Sequence, residues 1–373
     1  MASTRPVPAS AASASAPRSS DCPPRSPDAF AHLVSVLEPI AREPGARCLV
    51  LTHKSPDPDA LGACVGVRHL LAKAFGIDAQ ISTVGRIHRA ENVAMVRELG
   101  LVFEDYSKLD TSVFRGALLV DTQPTFGHTI VPDDTELLAV FDHHIPPKDA
   151  EGPPVRHRDV RIDLGATSSL IYEYLRDARV EIDRATATAL FCGVRFDTGD
   201  LSHNVRPLDE EAYLELFRRS DRELLARVQR PRLPQDYYKE LQRSLRLARR
   251  YGPAVLALLG RVHNPESVAE MADFFLRMEG CRWALVGGAY EGQYYVSLRT
   301  QPGTDAYTLL ARLLEDEGSF GGHGRVAGGR VSLEDGEQLG IRRLERRMRA
   351  RALSIVDPDK ELDEESRLGR CLT

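Results

Sequence analysis

The sequence predicts an α/β protein in two parts, a parallel-sheet domain followed by a smaller α/β domain. Three observations carry this expectation. Short apolar runs alternate with helical patterns through the first half of the chain, which is the signature of βαβ units and a parallel sheet. Asp and His residues gather where those runs end. Near Arg230–Gln235 the composition changes: PRLPQ reads as a linker, and a second alternating series follows it.

The elements follow in order. Residues from Met1 to about Ser26 are rich in Ala, Ser and Pro and lack the apolar stretch of a secretory signal, so a disordered tail is expected. PDAFAHLVSVLEPIA reads as an amphipathic helix. Cys48–Thr52 is an apolar strand, Ala60–Phe75 a helix after a Pro/Asp-rich loop, and Ala79–Val84 a strand. Strands at Ala117–Val120 and Leu137–Phe141 end at Asp121 and Asp142, and helices follow at Thr167–Leu175 and Arg184–Val194, the last running into Asp197. Beyond the linker come a polar helix (Asp236–Arg250), a strand (Ala254–Leu259), a helix (Ser267–Met278), two strands (Trp283–Tyr290 and Tyr294–Arg299), a helix (Ala306–Leu314) and a glycine cluster, Gly318–Gly329. IRRLERRMRARAL reads as a solvated Arg-rich helix leading into a charged tail. The expected boundaries are a tail at 1–26, a catalytic domain at 27–229, a linker and helix at 230–250, a substrate-binding domain at 251–345 and a charged tail at 346–373.

The 373 residues are 42 % hydrophobic and 28 % charged, a globular composition. A net charge of −5 provides no global basic field, which argues against coating long duplex DNA. No apolar run reaches the roughly 18 residues of a membrane span. Six scattered Cys form no CxxC pair, which excludes a zinc ribbon and a thioredoxin motif and points to reduced thiols in the cytoplasm.

Four clusters carry the chemistry: His53, Asp57 and Asp59 in HKSPDPDALGA; Asp121 in LLVDTQP; Asp142, His143 and His144 in FDHHIPP; and Asp197 in FDTGD. Ligands of open parallel sheets bind beyond the carboxyl ends of the strands, so these clusters predict one converged site. Carboxylates with a few imidazoles suit Mn²⁺ or Mg²⁺, and Zn²⁺ less well. The acids are too many for one divalent ion with open positions. Two ions roughly 3.5–4 Å apart, sharing an Asp, would activate a water and clamp a phosphoryl group for in-line attack.

In order along the chain, the four motifs resemble those of DHH-family phosphoesterases. Gly318–Gly329 resembles the glycine-rich GGGHxxAAG element of the DHH-associated domain, with one of the three glycines replaced, since Phe320 precedes Gly321, and Ala327–Gly328–Gly329 in place of AAG. The resemblance runs from about Arg47 to Val331 and is nearest to the oligoribonuclease/pAp-phosphatase group. It implies one metal held by His53, Asp57 and Asp121, and another by Asp59, Asp121, His143 and Asp197, with Asp121 bridging. It implies Mn²⁺ at both positions, with Mg²⁺ or Co²⁺ as substitutes. Asp142 would orient an imidazole, and His144 would donate to the phosphate.

The resemblance also implies that Arg299, in the element SLR, makes a bidentate phosphate contact, and that Gly321, Gly322 and His323 form an anion loop in the second domain. The substrate would then sit between the domains. Tyr290, Tyr294 and Tyr295 are candidates for base stacking, with packing as the competing role. Ser168 and Ser169 read as helix caps. His69, His88, His128, His157 and His203 fall outside the motifs and read as structural or surface residues. The expected substrates are short single-stranded RNA or 3′-phosphoadenosine 5′-phosphate (pAp). Alternatives are cyclic or linear dinucleotides, a RecJ-like exonuclease substrate and pyrophosphate. A non-catalytic module is disfavoured because no ligand is missing. No membrane partner is expected, and a homodimer is left open.

Overall fold

The computed structural model describes residues 28–83, 87, 89–146, 151–202, 204–315, 317–333, 337–356 and 370–371. The expected N-terminal tail, His88, His203 and most of the expected C-terminal tail lie outside these residues. The division between two compact units falls at Arg230/Pro231.

The first unit carries α1 (Ala29–Ala41), β1 (Arg47–Leu51), α2 (Pro58–Leu70), β2 (Asp78–Thr83), α3 (Ala90–Glu98), β3 (Glu104–Asp105), β4 (Ala117–Val120), β5 (Leu137–Asp142), β6 (His157–Val160), α4 (Thr167–Asp177), α5 (Arg184–Asp197), α6 (Pro207–Arg219) and α7 (Arg222–Gln229). The six strands form one all-parallel sheet in the order β3-β2-β1-β4-β5-β6. Strands β1, β4 and β5 are almost wholly buried, which is why they read as unbroken apolar runs. The chain winds outward from β1 to β3, then returns to place β4 on the other side of β1. This reversal is a topological switch point, and the crevice beyond β1 and β4 is where such sheets bind ligands.

Helix α2 starts where Asp57 accepts the backbone N–H groups of Asp59 and Ala60, each at 3.0 Å, with Pro58 in the first turn. It continues as a π-helical turn over Leu71–Phe75, where one longer helix is expected from the sequence. Helices α2, α4 and α5 pack with small residues at their contacts. A Cβ on Gly66 would lie 2.7 Å from Ile171 and 2.8 Å from Leu190, so glycine is what lets the three helices close together.

The second unit carries α8 (Gln235–Leu247), β7 (Arg249–Tyr251), β8 (Ala254–Arg261), α9 (Glu266–Leu276), β9 (Trp283–Tyr290), β10 (Gln293–Thr300), α10 (Ala306–Leu314), β11 (Ser319–His323), β12 (Val326–Ser332), α11 (Glu337–Val356) and β13 (Arg370–Cys371). Its sheet runs β11-β12-β10-β9-β8-β7-β13, antiparallel except for the β8/β9 pair.

Two expectations for this unit need correction. The glycine cluster is a β-hairpin rather than a loop, with Phe320 opposite Gly329 and Gly322 opposite Ala327. A Cβ on Gly322 would press on the Ala327 backbone at 2.5 Å, and one on Gly329 on Phe320 at 2.8 Å, so these glycines first serve close strand approach. Helix α11 begins before the expected Arg-rich stretch and runs to Val356 without a break at 346. It is not a solvated helix: Ile341, Leu344, Met348, Ala352 and Leu353 join the apolar core of the second sheet.

Among the described residues, no helix is long and apolar enough to cross a membrane. Cys48, Cys64, Cys192 and Cys281 are free thiols in the interior.

Candidate metal centre

The structure brings the four clusters together at the carboxyl ends of β1, β4 and β5. His53, Asp57 and Asp59 follow β1, Asp121 follows β4, and His143 and His144 follow β5. Asp197 is the last residue of α5. Ligand atoms fall into three groups, each within a 4.8 Å span: His53, Asp57 and Asp121; Asp59, His143 and Asp197; and Asp121, His143 and His144.

Asp121 sits at the centre of this arrangement. Its backbone is in the left-handed region (φ 58°), which Asp tolerates better than most residues. Its N–H donates to Phe141 O at 2.8 Å, tying the turn to the neighbouring strand. Thr167 Oγ1 donates to Asp121 Oδ1 at 2.7 Å. His53 Nε2 lies 3.6 Å from Asp121 Oδ2, and His143 Nε2 lies 3.8 Å from Oδ1. Backbone strain held in place by fixed partners is a mark of functional sites.

The imidazoles are oriented by backbone carbonyls. His53 Nδ1 meets Lys54 O at 3.0 Å, and His143 Nδ1 meets Leu164 O at 3.2 Å. With the proton on Nδ1 in each ring, both Nε2 atoms turn toward the acids. His143 Nε2 is 3.1 Å from Asp197 Oδ2 and 4.0 Å from Asp59 Oδ2. That division of labour, one nitrogen fixed by a carbonyl and one aimed inward, is the usual arrangement of metal-ligating histidines. His144 differs. Its Nδ1 pairs with Asp142 Oδ1 at 2.8 Å, and Asp142 is itself held by Gln123 Nε2 at 2.7 Å. Gln123 Nε2 also reaches His144 O at 2.9 Å. Asp142 thus orients the His144 ring, which is partly exposed.

Asp59 is fully buried and accepts two backbone donors from the start of α4, Thr167 N at 2.6 Å and Ser168 N at 2.9 Å. It replaces the side-chain cap that α4 lacks, since the capping position is Ala166. Ser168 and Ser169 therefore lie inside the first turn and do not serve as the expected side-chain caps.

The electrostatics are unbalanced. Burial, Asp121 and Asp197 push Asp59 well above the usual carboxylate range. Burial and Asp57 push Asp197 up to about 6. Burial opposes ionisation of Asp121 too, but the nearby imidazoles of His53, His144 and His143 outweigh it and hold the group low. Burial opposes protonation of His53, yet Asp121 and Asp57 raise it to about 9. Asp121 Oδ2 and His143 Nε2 are buried without a hydrogen-bond partner. An orphaned carboxylate oxygen among crowded acids, with an imidazole nitrogen aimed at them, fits a divalent cation, whose charge relieves what the imidazoles only partly neutralise.

The second unit's candidates are placed differently from the simplest expectation. The Arg299 guanidinium is largely buried and already engaged, with Nε donating to Asp273 Oδ1 at 2.6 Å and Nη1 to Ser297 Oγ at 2.8 Å and Leu298 O at 3.2 Å. Gly321, Gly322 and His323 lie along the edge strand β11. A Cβ on Gly321 would meet open space. Tyr294 is fully buried and donates to Glu345 Oε1 at 2.8 Å, which removes it as a stacking residue. Tyr290 and Tyr295 pack against an apolar cluster.

Sequence reasoning gave no role at the centre to Thr167, Gln123 or Phe126, and read His128 as a structural or surface residue. Phe126 and His128 stack in the loop after β4, with ring centres 5.5 Å apart, and His128 meets His53 edge-on at 5.5 Å. The aromatic residue just past the LLVDTQP motif is the one signal that pointed there.

Residues 47–194 match the DHH family N-terminal domain, and residues 252–350 match the DHHA1 domain. An uncharacterized protein of Methanocaldococcus jannaschii, MJ1633, is 29 % identical over 332 residues, which cover 87 % of this chain and 67 % of that protein. A probable manganese-dependent inorganic pyrophosphatase of Streptococcus pyogenes is 24 % identical over 157 residues, 41 % of this chain. That alignment spans about half of the pyrophosphatase, 49 %. The crystal structure of an exopolyphosphatase-related protein from Bacteroides fragilis superposes with a TM-score of 0.68 at 14 % identity, covering 87 % of this chain and 97 % of that one, a likeness of fold. The two domain matches, consecutive and together spanning more than half of the chain, show that it belongs to the DHH family of phosphoesterases.

Proposed function

We propose that the chain hydrolyses phosphate esters of short oligoribonucleotides, pAp or both, with two divalent ions at the centre described above. The observation that supports this reading best is the convergence of Asp57, Asp59, Asp121 and Asp197 with His53 and His143 at the sheet's switch point. His53, Asp57 and Asp121 would hold one ion, and Asp59, Asp121, His143 and Asp197 the other. When bound, such ions supply Lewis acidity, an activated water and neutralisation of charge developing on the phosphoryl oxygens.

The remaining steps belong to side chains. Thr167 and the imidazoles keep Asp121 ionised and aimed. Burial opposes protonation of His144, but Asp142 and Asp121 outweigh it and favour the protonated ring. With Nδ1 committed to Asp142, His144 offers Nε2–H to a phosphoryl oxygen as negative charge builds there. No carboxylate needs to act as a separate general base. In the second unit, Gly321, Gly322 and His323 would contact the substrate, and Arg299 would do so on leaving its Asp273 partner. Arg299→Ala and His323→Ala then raise KM for nucleotides while Mn²⁺ binding is retained.

The relationship to the Streptococcus pyogenes protein favours a second reading, pyrophosphate hydrolysis. Assays of pAp, a diribonucleotide, a cyclic dinucleotide and pyrophosphate with Mn²⁺ separate the readings. Hydrolysis of pAp or the diribonucleotide well above pyrophosphate is expected. Pyrophosphate as the sole substrate would overturn the nucleotide reading, and full activity in excess chelator would overturn the metal mechanism.

A further inference from the structure

The loop after β4 holds two aromatic rings that the apolar core does not use. Phe126 and His128 stack with their planes 25° apart. His128 meets His53 edge-on, and Phe126 meets His144 edge-on at 6.2 Å. The pair therefore borders two imidazoles of the metal centre. The large rings Phe141 and Phe191 are buried, whereas Phe126 is half-buried and His128 exposed.

The loop that carries them is fixed. Lys54 N donates to His128 O at 3.0 Å, which ties it to the segment after β1. The hydroxyls of Thr122 and Thr129 pair across its neck. Phe126 N bonds to Gln123 O and Thr129 N to Phe126 O, both at 3.1 Å. A π-surface that is rigid before ligand arrives loses little freedom on binding. In a nucleotide the base lies one sugar away from its phosphate. A ring stack beside phosphate-handling imidazoles is placed for that geometry, and stacking on aromatic side chains accepts any base.

We propose that Phe126 and His128 form a nucleobase platform, on which the base next to the reacting phosphate stacks. The proposal rests on the nucleotide reading of the site and deepens it. It predicts tolerance of base identity, because a stack reads a flat face and not a hydrogen-bonding edge.

Two measurements test it. The first compares kcat/KM for the diribonucleotide ApA with that for an analogue whose nucleoside beside the scissile phosphate is abasic. Phe126→Ala should cost ApA about tenfold more than it costs the analogue. Phe126→Tyr should recover the loss, and Phe126→Leu, which keeps bulk without a π-face, should not. Equal losses on both substrates, or recovery by Leu, would show that the ring only shapes the loop and would overturn the platform. Equal losses from His128→Ala would assign that imidazole to the phosphate instead, and would overturn its part.

The second measurement does not depend on turnover. The native chain has one Trp, Trp283, buried in the second unit. In Phe126→Trp loaded with Mg²⁺, AMP should quench the new indole at least tenfold more effectively than ribose 5-phosphate, relative to the unsubstituted protein. Quenching without hydrolysis of any nucleotide would remove the nucleotide-hydrolase reading and leave the platform standing. Hydrolysis of ApA without quenching would remove the platform and leave the reading.

Discussion

The Thr167 hydroxyl donates to Asp121 Oδ1 at 2.7 Å, and the Thr167 N–H donates to Asp59 Oδ2 at 2.6 Å. One residue at the start of α4 thus fixes two carboxylates from different strands' ends. Side chains that orient metal ligands typically contribute 10–100-fold in affinity or activity. Thr167→Val, which keeps shape and removes the hydroxyl, should lower Mn²⁺ affinity or kcat by about that factor, and Thr167→Ser should restore it. Calorimetric titration of Mn²⁺ into the three proteins decides the matter. Unchanged affinity and turnover in Thr167→Val would mean that Asp121 needs no support from α4.

Asp121 belongs to two of the three ligand groups, so its loss reaches further than that of any other acid. Asp121→Ala should reduce kcat by at least ~10³. The fold should persist, because the substitution removes one of several crowded negative charges. Near-normal turnover, with a circular dichroism spectrum like that of the native protein, would show that the reaction centre lies elsewhere.

Part of this was legible in advance for physical reasons. The bounds of β4 and β9 are legible because a buried strand is a continuous apolar run, ended by Gly116 and Asp121 in β4 and by Glu291–Gly292 in β9. Asp57, Asp59, Asp121 and Asp142 read as one site because they sit at the ends of such runs, whereas Asp197 closes a helix, α5. Thr167 was not legible in this role: it acts on Asp121 from 46 positions away, and a Thr at a helix start looks like a cap. The β11/β12 hairpin was hidden because a run of glycines carries no alternation of side chains. The buried stripe of α11, Ile341, Leu344, Met348 and Ala352, was spaced for a helix face, but the intervening arginines made the segment read as solvated. Strand β6 was missed because HRDV mixes a buried His with polar neighbours.

Gly193 on α5 faces the same corner. A Cβ there would collide with Ser168 Oγ and stand 2.7 Å from Asp59 Oδ1. Replacing glycine by alanine within a helix ordinarily stabilises by about 1 kcal/mol. Overpacking a closed interior costs about 1–3 kcal/mol, and here the strain falls on the carboxylate that begins α4. Gly193→Ala should therefore lower the melting temperature and weaken Mn²⁺ binding together. A more stable variant with native metal affinity would show that α5 can move away from α4 without consequence.

His157 gives the fold an acid limit that is separate from the metal centre. It is 2 % exposed, with Nε2 2.9 Å from Tyr174 Oη and Nδ1 3.0 Å from His32 Nδ1. Tyr174 in turn donates to Asp159 Oδ2 at 2.8 Å. A neutral His157 ring can donate through Nε2 to the tyrosine oxygen and accept from His32 at Nδ1. A protonated ring has lost that acceptor. Burial pulls its pKa down to about 4, and His32 adds to the effect against the opposing charge of Asp159. The unfolded chain titrates near the ordinary value of 6.5 and so binds more protons than the folded one between pH 6.5 and 4. Stability is thus lost as pH falls through that window, by roughly 3 kcal/mol in total, and is constant above it as far as this group is concerned. His157→Asn removes the titrating group. Its cost in denaturant unfolding should be largest above pH 6.5 and shrink steadily toward pH 4. A cost independent of pH across the window would show that the folded protein accommodates the charged ring, with the His32–His157–Tyr174 chain rearranging around it.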